Sequence, residues 1–594
     1  MKSARSSPRR PSAAAAPDSR PGTFLLWLLV LVPPFLWATV AKESFREPKL
    51  LASEWLALAS LLALVWELRR VEEIRWADVW RLSGLRLALP ALLVATAGLA
   101  FTHHSIHARE GLIDLWIGAV ALIGWSVAVP GPRLERLLHG LLWPATALAA
   151  IAILQFHDLW QPLRFLRLAP ASRLAVTSLA GNPGDLGAYL VLPALVAQES
   201  LWRRLRDGGG WRRPAVWGTA GALAICVYAL LLTQTLAAVA ALLAGTLLLW
   251  GSRLPRRRVV PVLAGGALAA ALLVAVVPPL RHRVTEKVRA AAGGDWNSVL
   301  TGRLDGWRTA VWMLEEHPLA GVGQGAYRPE FVPAKLALLE RGVQFFPEQT
   351  TVVFANAHNE YLEAAADWGI PGLLALAWGL WVLLTALRRV DAEERSLAWA
   401  GTAALAVLAL VYFPFRVALV AYPALLFLSW VLRGSVGEAP RPETGIPGRT
   451  LAAFLALVLA AALVGQTMRW HDRATGSRLL RRVELLSLAA ASAGQAPPAL
   501  LAANLDDLRR AAPLDPVEVG IPIARGTQYY LLGRPEAAER SYEEALRLEP
   551  RPEGYLNLGR AQWQGGRKEE AMRSFGVAVQ LDPLLARELP PGAR

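Results

Sequence analysis

Cysteine is all but missing: Cys226 is the only one in 594 residues, and it lies in an apolar run. That excludes an internal disulfide framework and a cysteine-based zinc site, and leaves Cys226 as a small apolar residue. Charge is scarce as well. Asp, Glu, Lys and Arg make up 18% of the chain against 54% hydrophobic residues, which is too apolar for a water-soluble protein of this length. Acidic residues are the scarcer sign, 47 against 62 Lys and Arg, giving a formal net charge of +15. In a soluble protein that excess would suggest nucleic acid. Here the arginines cluster between apolar runs, as the positive-inside rule expects, and no nucleic-acid partner is implied.

What is abundant is uncharged apolar sequence in windows long enough to cross about 30 Å of hydrocarbon. The pattern predicts an all-α, polytopic membrane helix bundle of about thirteen transmembrane helices. The expected spans are 24–40, 50–66, 85–101, 112–129, 137–156, 185–199, 214–232, 234–250, 259–279, 366–387, 396–413, 415–432 and 449–466. Residues 1–22, rich in Ser, Pro, Ala and Arg, read as a disordered basic tail. Pro33-Pro34 and the later spans make 24–40 a retained helix, not a signal peptide. The pair 214–250 is parted only by Thr233-Gln234-Thr235.

Counted alternately, one set of connections holds the arginine groups near residues 69–81, 133–136, 203–213, 253–258, 388–395 and 433–441. The other short connections hold few: Lys42, Arg46, Lys49, Arg109, Arg164, Arg167, Arg173 and Arg416. The basic set belongs in the cytoplasm with the N-terminus. The 280–365 loop and everything after the last span then face outward. Residues 23–470 form the membrane domain.

Beyond residue 470 the composition becomes that of soluble helix. Residues 531–550 and 564–583 are aligned copies 33 residues apart, pairing Gly533 with Gly566, Ala538 with Ala571, Tyr542 with Phe575, Ala545 with Ala578 and Pro550 with Pro583. This is similar to the tetratricopeptide repeat, in which small residues let paired helices approach. APLDP (512–516) ends a degenerate earlier unit. An α-solenoid over 478–590 is expected, suited to a protein partner.

The outer loop carries the residues with chemical promise. His358, with Asn356 as the expected cap of a helix around it, can act as a neutral base at the surface; the plain alternative is an interfacial histidine. Asn359 and Tyr361 can orient the ring or bind sugar, though capping and anchoring explain them too. Arg303 leads a helix with Trp307, Val311 and Leu314 on one stripe, and its fork suits a pyrophosphate; pairing with Asp305 is the bland reading. Arg308 is a second choice. Gly321, Gly323 and Gly325 form a shaped turn after His317-Pro318. Arg416 sits in the shortest outward connection, near hydrocarbon, where a charge faces a cavity or snorkels. His103, His104 and His107 have only Glu110 as carboxylate support, so no metal site is expected. The loop has no Asp-x-Asp pair, which argues against a metal-dependent nucleotide-sugar enzyme.

Taken in order, TGRLDGWRTAVWMLEEHPLAGVGQGAY (301–327) and NAHNEYLEAAADWGIPG (356–372), in a long loop between late spans, resemble the O-antigen ligase and polymerase superfamily over roughly residues 170–430. SRLAVTSLAGNPGDLGAYL (172–190) resembles it too, with Gly184-Asp185 where a second asparagine is commoner. The resemblance implies a glycosyltransferase in the bacterial inner membrane, working without cofactor or metal. It would take a glycan from a polyprenyl-pyrophosphate carrier to a lipid, glycan or protein acceptor, by O-antigen ligation, polymerisation or protein O-oligosaccharyl transfer. It makes His358 the catalytic base and Arg303, Arg173 and Arg416 the pyrophosphate ligands. A non-catalytic lipid or polysaccharide transporter with a repeat scaffold is the rival. It needs charges lining the spans, yet those are few, such as Glu54 and Glu199 near span ends.

Overall fold

In hydrocarbon every backbone N–H and C=O must find a partner within the protein, and a helix supplies them all locally. The computed structural model describes residues 20–39, 43–68, 73–74, 83–162, 172–206, 212–346, 353–434, 446–494 and 496–593. All but the last three residues of the expected basic tail lie outside these, as do Lys42, Arg69, Arg70, Arg75, Arg81, Arg164, Arg167 and Arg441 of the counted connections.

Among the described residues ten helices precede the loop: α1 (Arg20–Leu31), α2 (Arg46–Leu68), α3 (Ser83–Gly98), α4 (Ser105–Ala128), α5 (Gly131–Gly140), α6 (Leu142–Phe156), α7 (Pro183–Arg206), α8 (Pro214–Leu232), α9 (Leu236–Arg253) and α10 (Arg256–Val276). The loop folds as α11 (Pro278–Ala292), α12 (Trp296–Val299), α13 (Arg303–Glu316) and α14 (Tyr327–Glu340). After it come α15 (Glu360–Arg389), α16 (Ala392–Val411), α17 (Ala418–Gly434) and α18 (Gly448–Ser492). The repeat helices are α19 (Pro498–Ala511), α20 (Gly520–Leu531), α21 (Pro535–Leu548), α22 (Pro552–Gln564) and α23 (Lys568–Leu581). Among the described residues the one sheet is a two-residue antiparallel pairing of Glu73–Ile74 with Ile446–Pro447.

Every expected span overlaps a helix of the described residues. Among the described residues eight helices are long and apolar enough to cross a membrane, and three more, α1 with its following turn, α3 and α17, are shorter apolar helices. The other two, α7 and α10, each carry three arginines at one end. The first span ends sooner than expected, at Leu31, because Pro33 and Pro34 lack the N–H that would continue it. Gln234, at φ 53°, makes the break between α8 and α9.

Most of the bundle shares one apolar core, with Trp125, Tyr189 and Phe427 fully buried in it, and α3, α4 and α15 pack a smaller one around Ala95, Leu112, Ala364 and Trp368. Charges gather at its two ends. At one, Arg203 reaches Glu135 (2.5 Å) and Glu199 (2.8 Å), and Arg253 joins Glu199 (2.6 Å) to the Glu393 carbonyl (2.8 Å). These residues all belong to the arginine-rich set of connections or to spans ending there. Residues of the sparse set meet at the other end, where Arg46 grips Asp185 through two hydrogen bonds of 2.8 and 2.9 Å.

α18 is one unbroken helix of 45 residues that begins as a span and ends as the first helix of the repeat array. The expected boundary near 470–478 therefore falls inside a helix, not in a linker. In the array, Ala538, Ala545, Ala571 and Ala578 are buried at helix contacts with Tyr542 and Phe575. Gly526 and Gly559, also 33 apart, give those two rings room: a methyl group at either would overlap the ring.

Candidate active site

α15 starts at Glu360, with Asn359 as its N-cap: the Asn359 Oδ1 accepts from the Tyr361 and Leu362 N–H groups, both at 3.0 Å. This corrects the expectation of an Asn356 cap. His358 then precedes the helix and is not in its first turn. It takes φ 56°, the left-handed region that an L-residue enters only when its surroundings impose it. Those surroundings are specific. Glu363, fully buried, accepts from the Ala357 N–H (2.9 Å) and the Asn356 Nδ2 (3.0 Å), pinning the two residues before the histidine. The Phe354 and Phe413 rings meet the imidazole edge-on at 5.4 and 4.9 Å.

The His358 Nδ1 lies 3.1 Å from the Asn356 carbonyl oxygen. A carbonyl only accepts, so the neutral ring carries its proton on Nδ1 and leaves the lone pair on Nε2. Burial, with the Arg303 guanidinium next in size, brings the pKa down to about 4, so the ring is neutral at physiological pH. Tyr361 is elsewhere: its hydroxyl donates to the Ala406 carbonyl (3.2 Å), an anchor between helices.

Arg303 opens α13 after a turn in which Thr301 and Gly302 both have positive φ. The face of α13 that packs is Gly306, Thr309, Ala310 and Met313, while Val311 of the expected stripe is exposed. Asp305 is not the partner of Arg303. It accepts from Asn297 Nδ2 (2.9 Å) and the Phe346 N–H (2.8 Å), with Arg308 at 3.7 Å; Arg308 itself points to the Gln344 carbonyl. Among the described residues Arg303 has only a long side-chain contact to the Leu300 carbonyl (3.4 Å), and its Nε is buried without an acceptor there.

Around it stand three more cations. Arg173 donates to the Thr233 carbonyl at 3.2 Å. Arg283 and Lys287, one turn apart on α11, reach the Thr301 hydroxyl at 3.5 and 3.0 Å. None of the four is in an ion pair with a carboxylate of a described residue. Burial lowers the pKa of each of Arg173, Arg303 and Lys287, and the neighbouring arginines lower it further, to about 10 for Arg303 and about 8 for Lys287. Like charges so placed call for an anion. Sequence reasoning named Arg173 and Arg303 but missed Arg283 and Lys287. Their signal was present as the stripe Leu280, Arg283, Lys287, at the spacing of one helix face.

Arg416 does not join this cluster, contrary to expectation. Its guanidinium meets Glu363 at 3.0 Å, Asp367 at 2.9 Å and Glu360 at 3.6 Å. Burial opposes its charge, but those carboxylates prevail and raise its pKa. The same carboxylates hold three loops: Asp367 accepts from the Gly325 N–H (3.1 Å), Glu360 from the Phe415 N–H (2.9 Å), and Glu363 from the residues before His358. Arg416 therefore ties these loops together through those carboxylates. The glycine turn is likewise spent on structure. The Gly321 N–H donates to the His317 carbonyl and the Gly323 N–H to the Asp367 carbonyl. His317 is the C-cap of α13.

A second group, unforeseen in the sequence, closes the site. Arg46 stacks over the Phe413 ring at 5.5 Å and holds Asp185, which the Tyr412 hydroxyl also contacts. Asn182 makes the turn into α7 by accepting from the Gly184 N–H at 2.7 Å. Of the histidines upstream, His104 is taken up by Glu330 at 2.9 Å.

Residues 221–377 match the O-antigen ligase family, and residues 524–552 and 552–583 each match the tetratricopeptide repeat. No curated protein matches the chain. The first match runs from α8 into α15 and so contains Arg283, Lys287, Arg303 and His358, while Arg46, Arg173, Asp185 and Arg416 lie outside it. The chain is a multi-pass membrane protein with an O-antigen ligase-like domain and C-terminal tetratricopeptide repeats.

Proposed function

We propose that this protein transfers a glycan from a polyprenyl-diphosphate carrier to an acceptor hydroxyl at the outer face of the bacterial inner membrane. The observation that carries the reading is the group of four cations, none in an ion pair with a carboxylate of a described residue, beside a neutral histidine whose Nε2 is free to accept a proton. A diphosphate ester is already a good leaving group, so the protein has two tasks. Arg303 and Arg173 neutralise the diphosphate, each as a planar fork fitted to paired phosphate oxygens. His358 takes the proton from the acceptor hydroxyl as that oxygen attacks the anomeric carbon. The carbon–oxygen bond to the diphosphate breaks, and its electron pair leaves with the carrier. Arg416 and Glu363 hold the loops that fix the base.

The acceptor is a hydroxyl of lipid, glycan or protein. The repeats, resting against the same loop, would bring a protein or glycan partner near it. The test is purified protein in lipid nanodiscs with a polyprenyl-diphosphate glycan and panels of the three acceptor types. Release of polyprenyl diphosphate that depends on one acceptor is the expected result. No release with any donor and acceptor would overturn the reading.

A further inference from the structure

The donor and the departing carrier differ in charge. A diphosphate flanked by two esters carries two negative charges, and the carrier left after transfer, with one ester fewer, carries up to three. We infer that Arg283 and Lys287 are catalytic residues placed for the charge that appears during transfer, binding the departing diphosphate more tightly than the intact donor. This rests on the proposed transfer reaction and assigns its leaving-group side.

The geometry that supports it starts on α11. Leu280, Arg283 and Lys287 turn toward the protein, while Val284 and Val288 on the other faces are exposed. Both cations are tied to one hydroxyl, that of Thr301, and Lys287 also donates to the Ser298 carbonyl. Thr301 belongs to the left-handed turn two residues before Arg303, so one turn sets all three cations. The Nε atoms of Arg283 and Arg303 are both buried without an acceptor. Two guanidiniums, Arg173 and Arg303, already match the charge of the intact donor. Arg283 and Lys287 are the surplus, and surplus positive charge is best satisfied when the third negative charge develops. Lys287, with a pKa brought down to about 8 by burial and by Arg283 and Arg303, gains full protonation as that charge arrives.

Binding and single-turnover measurements on the full chain in nanodiscs separate the possibilities. The probes are a polyprenyl-diphosphate glycan, polyprenyl diphosphate and polyprenyl monophosphate. For Lys287→Gln, donor affinity is expected to stay within about threefold while polyprenyl diphosphate binding and the single-turnover rate each fall about tenfold or more. Lys287→Arg should recover most of both, and Arg283→Gln should show the same split. Monophosphate binding should be little changed. Equal losses for donor and product would make these residues ground-state ligands and overturn the inference. So would unchanged turnover and product binding in a folded variant. If His358→Ala abolishes transfer while both α11 variants retain it, the transfer reading stands and only this assignment falls. If the wild type transfers nothing, both fall together.

Discussion

A histidine held near pKa 4 is a weak base, and its weakness before substrate binds is informative. Burial and Arg303 set that value, and Arg46 adds to it. A bound diphosphate offsets both arginines, so it should raise the pKa of His358 and strengthen the base when the substrate is present. The acidic limb of kcat/KM, which reports free enzyme, is then expected near pH 4. The limb of kcat, which reports the complex, should lie higher. Coincident limbs would show that His358 does not feel the donor's charge. His358→Ala should lower turnover by about 10²–10⁴-fold with donor affinity near wild type, since a general base contributes that much. Arg303→Ala should instead weaken donor binding, and Arg303→Lys should restore it only in part, because a point charge lacks the fork. Neither effect should respond to chelators. His358 and the two foremost arginines were legible in the sequence, since they stand in ordered motifs of unusual polarity within an apolar chain. Arg46 and Asp185 were not, because their partnership spans 139 residues and exists only when α2 and α7 pack.

At the scale of elements, the loop is held by a hub whose parts looked like ligands. Gly321 packs on the backbone of α15, which itself breaks at Gly369 (φ 66°), against the Pro318 carbonyl, while Gly323 meets the Thr102 side chain and Gly325 the backbone of α4 at Gly111. A methyl group at Gly321 would overlap the Asp367 backbone, and φ there is 65°. The left-handed conformation alone costs an L-residue about 1–2 kcal/mol. Gly321→Ala should therefore cost about 3 kcal/mol or more, since overpacking adds to it. Gly342 has φ 80° but open space around it, so Gly342→Ala should show the conformational cost alone. Thermal unfolding of the two variants decides whether backbone strain or close packing costs more. Arg416→Ala leaves buried carboxylates without their counter-charge and should destabilise by about 3–5 kcal/mol. It should also lower turnover through His358, with donor binding less affected. The sequence showed Arg416 near hydrocarbon, but its three acidic partners come from successive turns of another helix, and alignment of those turns appears only once α15 is capped at Asn359.

For the whole molecule, the repeats are seated against the 280–365 loop. Leu581 packs with Phe331 and Phe354, whose ring meets His358. Lys335 donates to the Leu581 carbonyl (3.1 Å), and Arg328 pairs with Glu549 at 2.9 Å. Deleting 478–594 should leave a folded membrane core that still transfers, but about 10–100-fold more slowly, because a misplacement of about 1 Å at the base costs that much. Leu581→Ala in the full chain should fall between the two. Full turnover by the truncated protein would show that the seating serves only the partner. Compartment reporters at Gly434 and Arg594 should report opposite sides, since α18 is the single crossing expected between them. Repeat architecture was plain from the 33-residue period, whereas its seating depends on surface fit that no period encodes.

α18 also has a mechanical consequence. Its 45 residues amount to a rod of about 68 Å at 1.5 Å per residue, with no hinge between bilayer and array. Near the middle it is bolted to the bundle by Arg469, which meets Glu54, Glu110 and Asp114, and by Arg473 on Glu110. Such a rod cannot swivel. A cargo gripped by the array keeps one bearing toward His358, and a pull on that cargo is borne by the ion pairs of α2 and α4 before it reaches the site.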